Sequence, residues 1–268
     1  MDSLKGKAVL LTGGSRGIGP VIAKALARRG ANIAIAARSK SGLDEVAARL
    51  RECGIKAIIQ PANIIEPSQR KRLVAEAVKK LGKIDILVNN AGLETEGSYA
   101  ELSWPHIQET IEVNLIAPKA LSHAVLPEML KRKTGHIVNI ASIAAKSGAP
   151  YAATYSGTKA GLAEWTRALR LELAGTGVYF STIFPGYVRE VGMFAKFGVK
   201  APWLVGSCSP SQVARAVVAA IEKGKAESIV NSRPLRYSFM LNELSPAIGD
   251  WLMRASGVAA FQRRKVGK

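Results

Sequence analysis

Cysteine is scarce in this chain of 268 residues. Cys53 and Cys208 stand far apart and form no CxxC pair. A disulfide framework and a zinc ribbon are thereby excluded, and a reducing compartment fits. His106, His123 and His136 share no ligand spacing and no triad context, so no metal is expected. Acidic side chains are outnumbered, 20 Asp and Glu against 38 Lys and Arg, for a net charge of +18. Such a charge attracts phosphates, nucleic acid or anionic lipid, but it does not speak to fold. No run of 18 apolar residues exists to suggest a transmembrane helix. The opening segment MDSLKGKAVLLTGG lacks the pattern of a signal peptide, so a cytoplasmic location is expected. A GxxxxGK(S/T) loop and a GxSxG elbow are missing too, which removes the ATPase and serine-hydrolase readings.

What is present is apolar in the right amount, 48% hydrophobic residues, which excludes global disorder. Short apolar runs alternate with longer stretches at helical spacing. The runs AVLLT, NIAIAARS, KAIIQPANI, IDILVNNAG, GHIVNIAS and VYFSTIFPG are the expected strands. Helices are expected over 19–29, 43–52, 68–81, 106–131 and 154–174. Strands alternating with helices mean βαβ units, and strands apolar almost throughout mean a sheet covered on both faces. The expected fold is therefore α/β: a single-domain Rossmann fold with a doubly wound parallel sheet. No repeat and no Pro/Ser-rich linker divides the chain. The reading is a dinucleotide-binding and catalytic domain over 1–230, with a basic, amphipathic extension over 231–268 packed on it.

Between the first strand and the first helix lies Thr12-Gly13-Gly14-Ser15-Arg16-Gly17-Ile18-Gly19. Gly13, Gly17 and Gly19 let the backbone turn sharply and approach a pyrophosphate at the helix N-terminus. Ser15, Arg16 and Ile18 complete that turn. A merely tight connection is the alternative. At the end of the second strand, Ala36-Ala37-Arg38-Ser39 offers no carboxylate for a ribose 2′-hydroxyl. Arg38, with Arg16 nearby, suits a 2′-phosphate, which favours NADP(H) over NAD(H). The competing view makes Arg38 a solvated strand-end charge.

The ordered set of TGGSRGIG at 12–19, NNAG at 89–92, Asn114, Ser142 and Tyr155-Ser156-Gly157-Thr158-Lys159 resembles the classical short-chain dehydrogenases/reductases over about residues 5–220. The resemblance implies an oxidoreductase that interconverts a carbonyl and an alcohol by hydride transfer. Tyr155 is then the acid/base group. Lys159, one helical turn on, is expected to lower its pKa and to hold the nicotinamide ribose. Ser142 orients the substrate oxygen. Asn114 is implied to hold a water linking the lysine to solvent, against a bland role as a cap at a local kink. Asn90, Ala91 and Gly92 pass close to the cofactor, Asn63 and Ile64 lie beside its adenine, and Pro185, Gly186 and Val188 form the turn under the nicotinamide.

Two positions depart from the family pattern. Asn63 stands where an acid is usual, and Glu190 stands where a threonine is usual. Residues 190–206 form the expected lid, apolar through Met193, Phe194, Phe197, Pro202 and Trp203, with Gly192, Gly198 and Gly206 as hinges. Ser142, Ala144, Tyr151, Tyr187, Met193 and Phe194, with Leu93, are the expected substrate contacts, which suits an apolar ketone, aldehyde or alcohol. The extension is read as packing on a subunit or on the site in preference to an anionic membrane. Apolar residues on more than one face of 106–131 and 154–174 point to a homodimer or homotetramer. Basic residues spread over many helices, without a recognised module, argue against a nucleic-acid partner. A non-catalytic NADP(H) sensor is the rival class, and the intact Ser142, Tyr155 and Lys159 argue against it.

Overall fold

The computed structural model describes residues 4–194 and 201–267. Among them, seven parallel strands form one sheet: β1 (Ala8–Thr12), β2 (Asn32–Ala37), β3 (Ala57–Pro61), β4 (Ile86–Asn89), β5 (Gly135–Ile140), β6 (Val178–Pro185) and β9 (Glu227–Val230). Their spatial order is β3-β2-β1-β4-β5-β6-β9. A further pair, β7 (Tyr187–Val188) and β8 (Ser207–Cys208), ties the ends of the 190–206 segment together.

The strand sequences explain the layers. Side chains alternate between the faces of a sheet, so a doubly covered strand must be apolar at every position. Val9, Leu11, Ile33, Ile35, Ile86 and Val88 face one layer, with α1 (Gly19–Ala27), α2 (Lys40–Arg51) and α7 (Pro210–Lys223). Leu10, Ala34, Ala36, Leu87 and Ile137 face the other, with α3 (Pro67–Leu81) and α5 (Ala117–Lys131). Each of these strand residues is buried. At about 25 cal/mol per Å² of apolar surface, this double burial is the main force holding the sheet.

Local chemistry moves several boundaries from their expected places. Helix α2 begins at Lys40, ahead of 43, because Ser39 caps it by accepting from the Gly42 N–H. The helix expected over 106–131 is α4 (Trp104–Ile111) and α5, joined by a π-helical turn over Glu112–Ile116. The next helix, α6, covers Ala153–Glu172. The C-terminal stretch folds as three short helices, α8 (Arg236–Leu244), α9 (Pro246–Ala255) and α10 (Val258–Lys265). Phe197 and Gly198, expected in the lid, lie outside the described residues.

Candidate functional site

Strand order reverses between β1 and β4, the place where an open α/β sheet leaves a crevice at its carboxyl edge. The glycine turn leaves β1 there. Gly13 and Gly17 hold φ of 70° and 67°, a region that side chains rarely adopt. A Cβ on Gly19 would lie 2.0 Å from the Gly13 carbonyl oxygen, so no larger residue fits without moving backbone. The NNAG segment braces this turn. Asn90 Nδ2 donates to the carbonyls of Thr12 and Gly13 at 2.9 and 3.2 Å, and Thr12 Oγ1 accepts from the N–H groups of Asn90 and Ala91. Helix α1 starts at Gly19 with no side-chain cap and no acid in its first turn. Its N–H groups and dipole are thus left to an anion.

A cavity of about 970 Å³ runs from this turn across the carboxyl edge of the sheet. Gly13, Ser15, Arg16, Gly17, Ile18 and Arg38 line one end, and Asn63 and Ile64 stand beside them. Asn90, Ala91 and Gly92 line the middle, opposite Pro185, Gly186 and Val188. Gly19 does not line it and serves the turn's packing instead. Arg38 is largely exposed, with Nη1 3.6 Å from Glu109 Oε1, so it stands at the rim and is held only by a screened pair.

Ser142, Tyr155 and Lys159 meet in the same cavity. Ser142 follows β5 by two residues in extended backbone and caps the short turn Ile143–Ala145, its Oγ accepting from the Ala144 N–H at 3.2 Å. Lys159 Nζ donates to the Ile140 carbonyl at 2.9 Å and lies 5.7 Å from the Tyr155 ring centre. Burial pushes the Tyr155 phenol above its ordinary value of 10. The charges of Glu94 and Glu96 add to that, and the hydrogen bond with Ser142 opposes it. Desolvation sets the direction of the Tyr155 shift, against the lowering expected from Lys159. Burial also brings Lys159 down to about 8, against a raising influence of Glu94.

Asn114 sits in the π-helical turn, fully buried. Its Oδ1 accepts from the Leu93 N–H, and its Nδ2 donates to the Leu93 carbonyl and to Thr158 Oγ1. The side chain braces the strand exit against α6 and does not line the cavity.

The mouth is built by more of the chain than the sequence suggested. Leu93, Ala144, Tyr187, Met193 and Phe194 line it as expected. Tyr151 does not: it sits at φ 61°, and its carbonyl accepts from the Gly97 N–H. Trp203 is 72% exposed, and the Arg233 guanidinium stacks on it 4.1 Å from the ring centre, so it faces away from the cavity. Glu190 lines the cavity at φ 72°. The third wall comes from the extension: Leu235, Phe239, Leu252, Met253, Val258 and Gln262. Phe261 packs edge-on to Tyr187 at 5.5 Å and lies 6.2 Å from Phe194. Lys265, its side chain 1% exposed, reaches Glu94 Oε1 at 3.2 Å and also bonds Glu96. Burial and the adjoining Glu94 raise the Glu96 carboxyl to about 8, while Lys265 pulls it down. No periodicity marks these contacts, because they join positions about 170 residues apart.

A family model for short chain dehydrogenase matches residues 7–200. The chain belongs to the short-chain dehydrogenase family. It is an oxidoreductase of that family, and its glycine turn, Tyr155 and Lys159 line one cavity. It is 43% identical to the ketoacyl reductase HetN of Nostoc sp. (strain PCC 7120), over 99% of this chain and 94% of that one. A variant of actinorhodin polyketide ketoreductase solved with NADPH superposes with a TM-score of 0.77 at 33% identity, covering 85% of this chain and 97% of its own. A metagenomic short-chain oxidoreductase solved with NADP gives 0.73 at 29%, covering 87% and 99%. The extension beyond residue 200 lies outside the family model, yet it supplies a wall of the cavity. No helix among the described residues is long and apolar enough to cross a membrane.

Proposed function

We propose that the protein is an NADP(H)-dependent ketoreductase acting on an apolar small molecule, with ketoacyl compounds foremost. The observation that carries this reading is the continuity of one cavity, with an anion-ready glycine turn and two arginines at one end and Ser142, Tyr155 and Lys159 at the other. The residues fit the cofactor on their own terms. The cradle at Gly13 and Gly19 has no room for a Cβ, the α1 terminus is uncapped, and Asn90 Oδ1 is buried without a partner. Arg16 and Arg38 would hold a 2′-phosphate, and no acid stands at the end of β2 to hold a ribose hydroxyl instead. The named relatives, a ketoacyl reductase and two proteins solved with NADP or NADPH, support both halves.

With NADP(H) held by the glycine turn, Arg16 and Arg38, hydride transfer to the carbonyl carbon is the chemistry the cofactor would supply. The chain's own residues do the rest. Ser142 holds the carbonyl oxygen. Tyr155, kept protonated by burial, gives its phenolic proton to that oxygen as negative charge develops there. The phenolate left behind is stabilised by the Lys159 ammonium and recovers its proton from solvent. In the oxidative direction the same proton returns to Tyr155. The apolar walls exclude water, which strengthens each of these interactions. Asn114 keeps the Leu93 backbone and α6 in register, and a link from Lys159 to solvent through this turn is part of the proposal. We also propose a homodimer or homotetramer through α4, α5 and α6, with Trp104 on α4, Ile116 on the π-helical turn before α5 and Leu171 on α6 exposed.

The test is loss of NADPH absorbance with a panel of apolar ketones, β-ketoacyl esters and thioesters. Turnover of at least one, with little from NADH, is expected. NADPH binding without turnover of any member would favour the sensor reading and refute this one.

A further inference from the structure

Among the described residues, the exposed large apolar side chains are densest in one place, with others such as Val78, Trp104, Leu171 and Tyr179 standing apart. Six lie on α8 and α9: Tyr237, Met240, Leu241, Leu244, Ile248 and Trp251. On α8 they recur at i, i+3, i+4 and i+7, and on α9 at i and i+3, which is one stripe on each helix. The two helices pack side by side, with no room for a Cβ on Gly249 against Asn242. Phe239 on the other side of α8 and Met253 on the other side of α9 line the cavity, together with Leu235 and Leu252. A helix that packs inward on one apolar side normally turns a polar one to water. Here Leu244 is 80% exposed and Trp251 61%. Trp203 and Leu204 are exposed as well, and Leu204 lines the cavity.

The charge of the extension is predominantly positive, although α8 and α9 carry Glu243 and Asp250 as well as Arg236 and Arg254. Residues 231–268 carry seven basic residues against Glu243 and Asp250. Lys265 is consumed by its buried acids, and among the described residues Arg233, Arg236, Arg254, Arg263 and Arg264 enter no ion pair. Arg236 and Arg254 stand on α8 and α9 themselves. A second copy docked face to face would bring together two extensions that each carry a net positive charge, and like charges brought together repel. An anionic surface complements them. Tryptophan and tyrosine on such a face suit a boundary that is apolar below and wet above. Both helices are too short to span a bilayer and of the right kind to lie in its surface.

We propose that the outer face of α8 and α9 is a membrane-docking surface that seats the protein on anionic lipid, with the cavity mouth beside the headgroups. This is independent of the reductase reading: it concerns the outside of the extension and survives if the substrate class is wrong.

The probe is vesicle flotation with phosphatidylcholine alone and with phosphatidylcholine containing phosphatidylglycerol, at low and physiological salt. The full protein should float with the anionic vesicles, less so as salt rises, and hardly with the neutral ones. In Leu244→Glu/Trp251→Glu, neither of which lines the cavity, partitioning should fall by about tenfold or more, since the apolar contact is lost and acids face acidic lipid. NADPH binding and the sedimentation coefficient should stay as in the parent, which shows that the variant is folded. Failure of the parent to float with anionic vesicles overturns the proposal. So does equal flotation of the double variant, because charge elsewhere would then be the anchor. A drop in oligomeric mass in the double variant, without loss of flotation, makes the face a contact between copies and overturns it equally.

Discussion

Lys265→Met removes the one cation that α10 buries against the loop after β4. The Lys265 ammonium sits 3.2 Å from Glu94 Oε1, with the lysine side chain 1% exposed. At an effective dielectric constant near 20 that attraction is about 5 kcal/mol before desolvation is counted. Removing one member of a buried ion pair costs about 3–5 kcal/mol net, because the partner is left without compensation. Glu96 softens the loss. Its carboxyl is raised to about 8 in the folded protein, chiefly by burial, from an ordinary value of 4.5. A raised folded pKa means that the neutral form is the better folded one. Its contribution to stability is full below pH 4.5 and is lost as pH rises through about 8. Without Lys265 the folded pKa rises further, so the variant's deficit should widen with pH. We expect about 2–3 kcal/mol at pH 6 and about 3–5 kcal/mol at pH 9. At about 2–4 °C per kcal/mol for a chain of this size, the alkaline deficit is a fall of about 6–20 °C in Tm. Thermal and urea unfolding at the two pH values measure it. Limited proteolysis over 246–267 detects a cap that opens ahead of the body. A variant that matches the parent at both pH values, by unfolding and by proteolysis, refutes the role given to this contact.

Arg38→Asp should erase or reverse the cofactor preference, since a charge-assisted hydrogen bond of about 1.5–3 kcal/mol is replaced by repulsion of the 2′-phosphate. The ratio of kcat/KM for NADPH over NADH should fall by about 10–100-fold, and an unchanged ratio counts against it. Glu190 occupies φ 72°, so Glu190→Gly should stabilise by about 1 kcal/mol and Glu190→Thr should destabilise, both read by Tm. Neither should change the shape of the pH–rate profile, and a shifted kinetic pKa would place Glu190 in the proton relay. The alkaline limb of kcat/KM for reduction should lie near pH 8, where Lys159 loses its proton. Glu94→Gln removes a charge that raises the lysine, so it should move that limb to lower pH, and a limb that stays or rises contradicts the assignment.

The sheet was legible because each buried strand needs apolar residues on both faces, and AVLLT, ILVN and GHIVNI meet that need with local sequence alone. The glycine turn was legible because its geometry excludes other residues at Gly13 and Gly19. The Tyr155–Lys159 pair was legible because four residues make one helical turn. What escaped depends on three-dimensional placement. Tyr151 follows the active-site strand closely, yet a left-handed backbone takes it out of the cavity lining. Trp203 looked like a lid residue by composition, but its ring is held outside by Arg233. The pKa of Tyr155 was read from its nearest cation, whereas burial, a property of the whole fold, decides its direction. Lys265, Phe261 and Gln262 reach the site from the last helix, and nothing in their local pattern sets them apart from a basic tail.

The central claim is that Tyr155 gives the proton, apart from hydride delivery and from cofactor binding. Tyr155→Phe keeps the ring and removes only the hydroxyl, and general acid–base groups contribute about 10²–10⁴-fold. Single-turnover reduction of a substrate found in the ketone panel, followed by NADPH absorbance, reads the chemical step directly. The account predicts a loss of that size in Tyr155→Phe, with the Kd for NADPH near that of the parent. A variant that keeps most of its single-turnover rate would show that the proton comes from elsewhere.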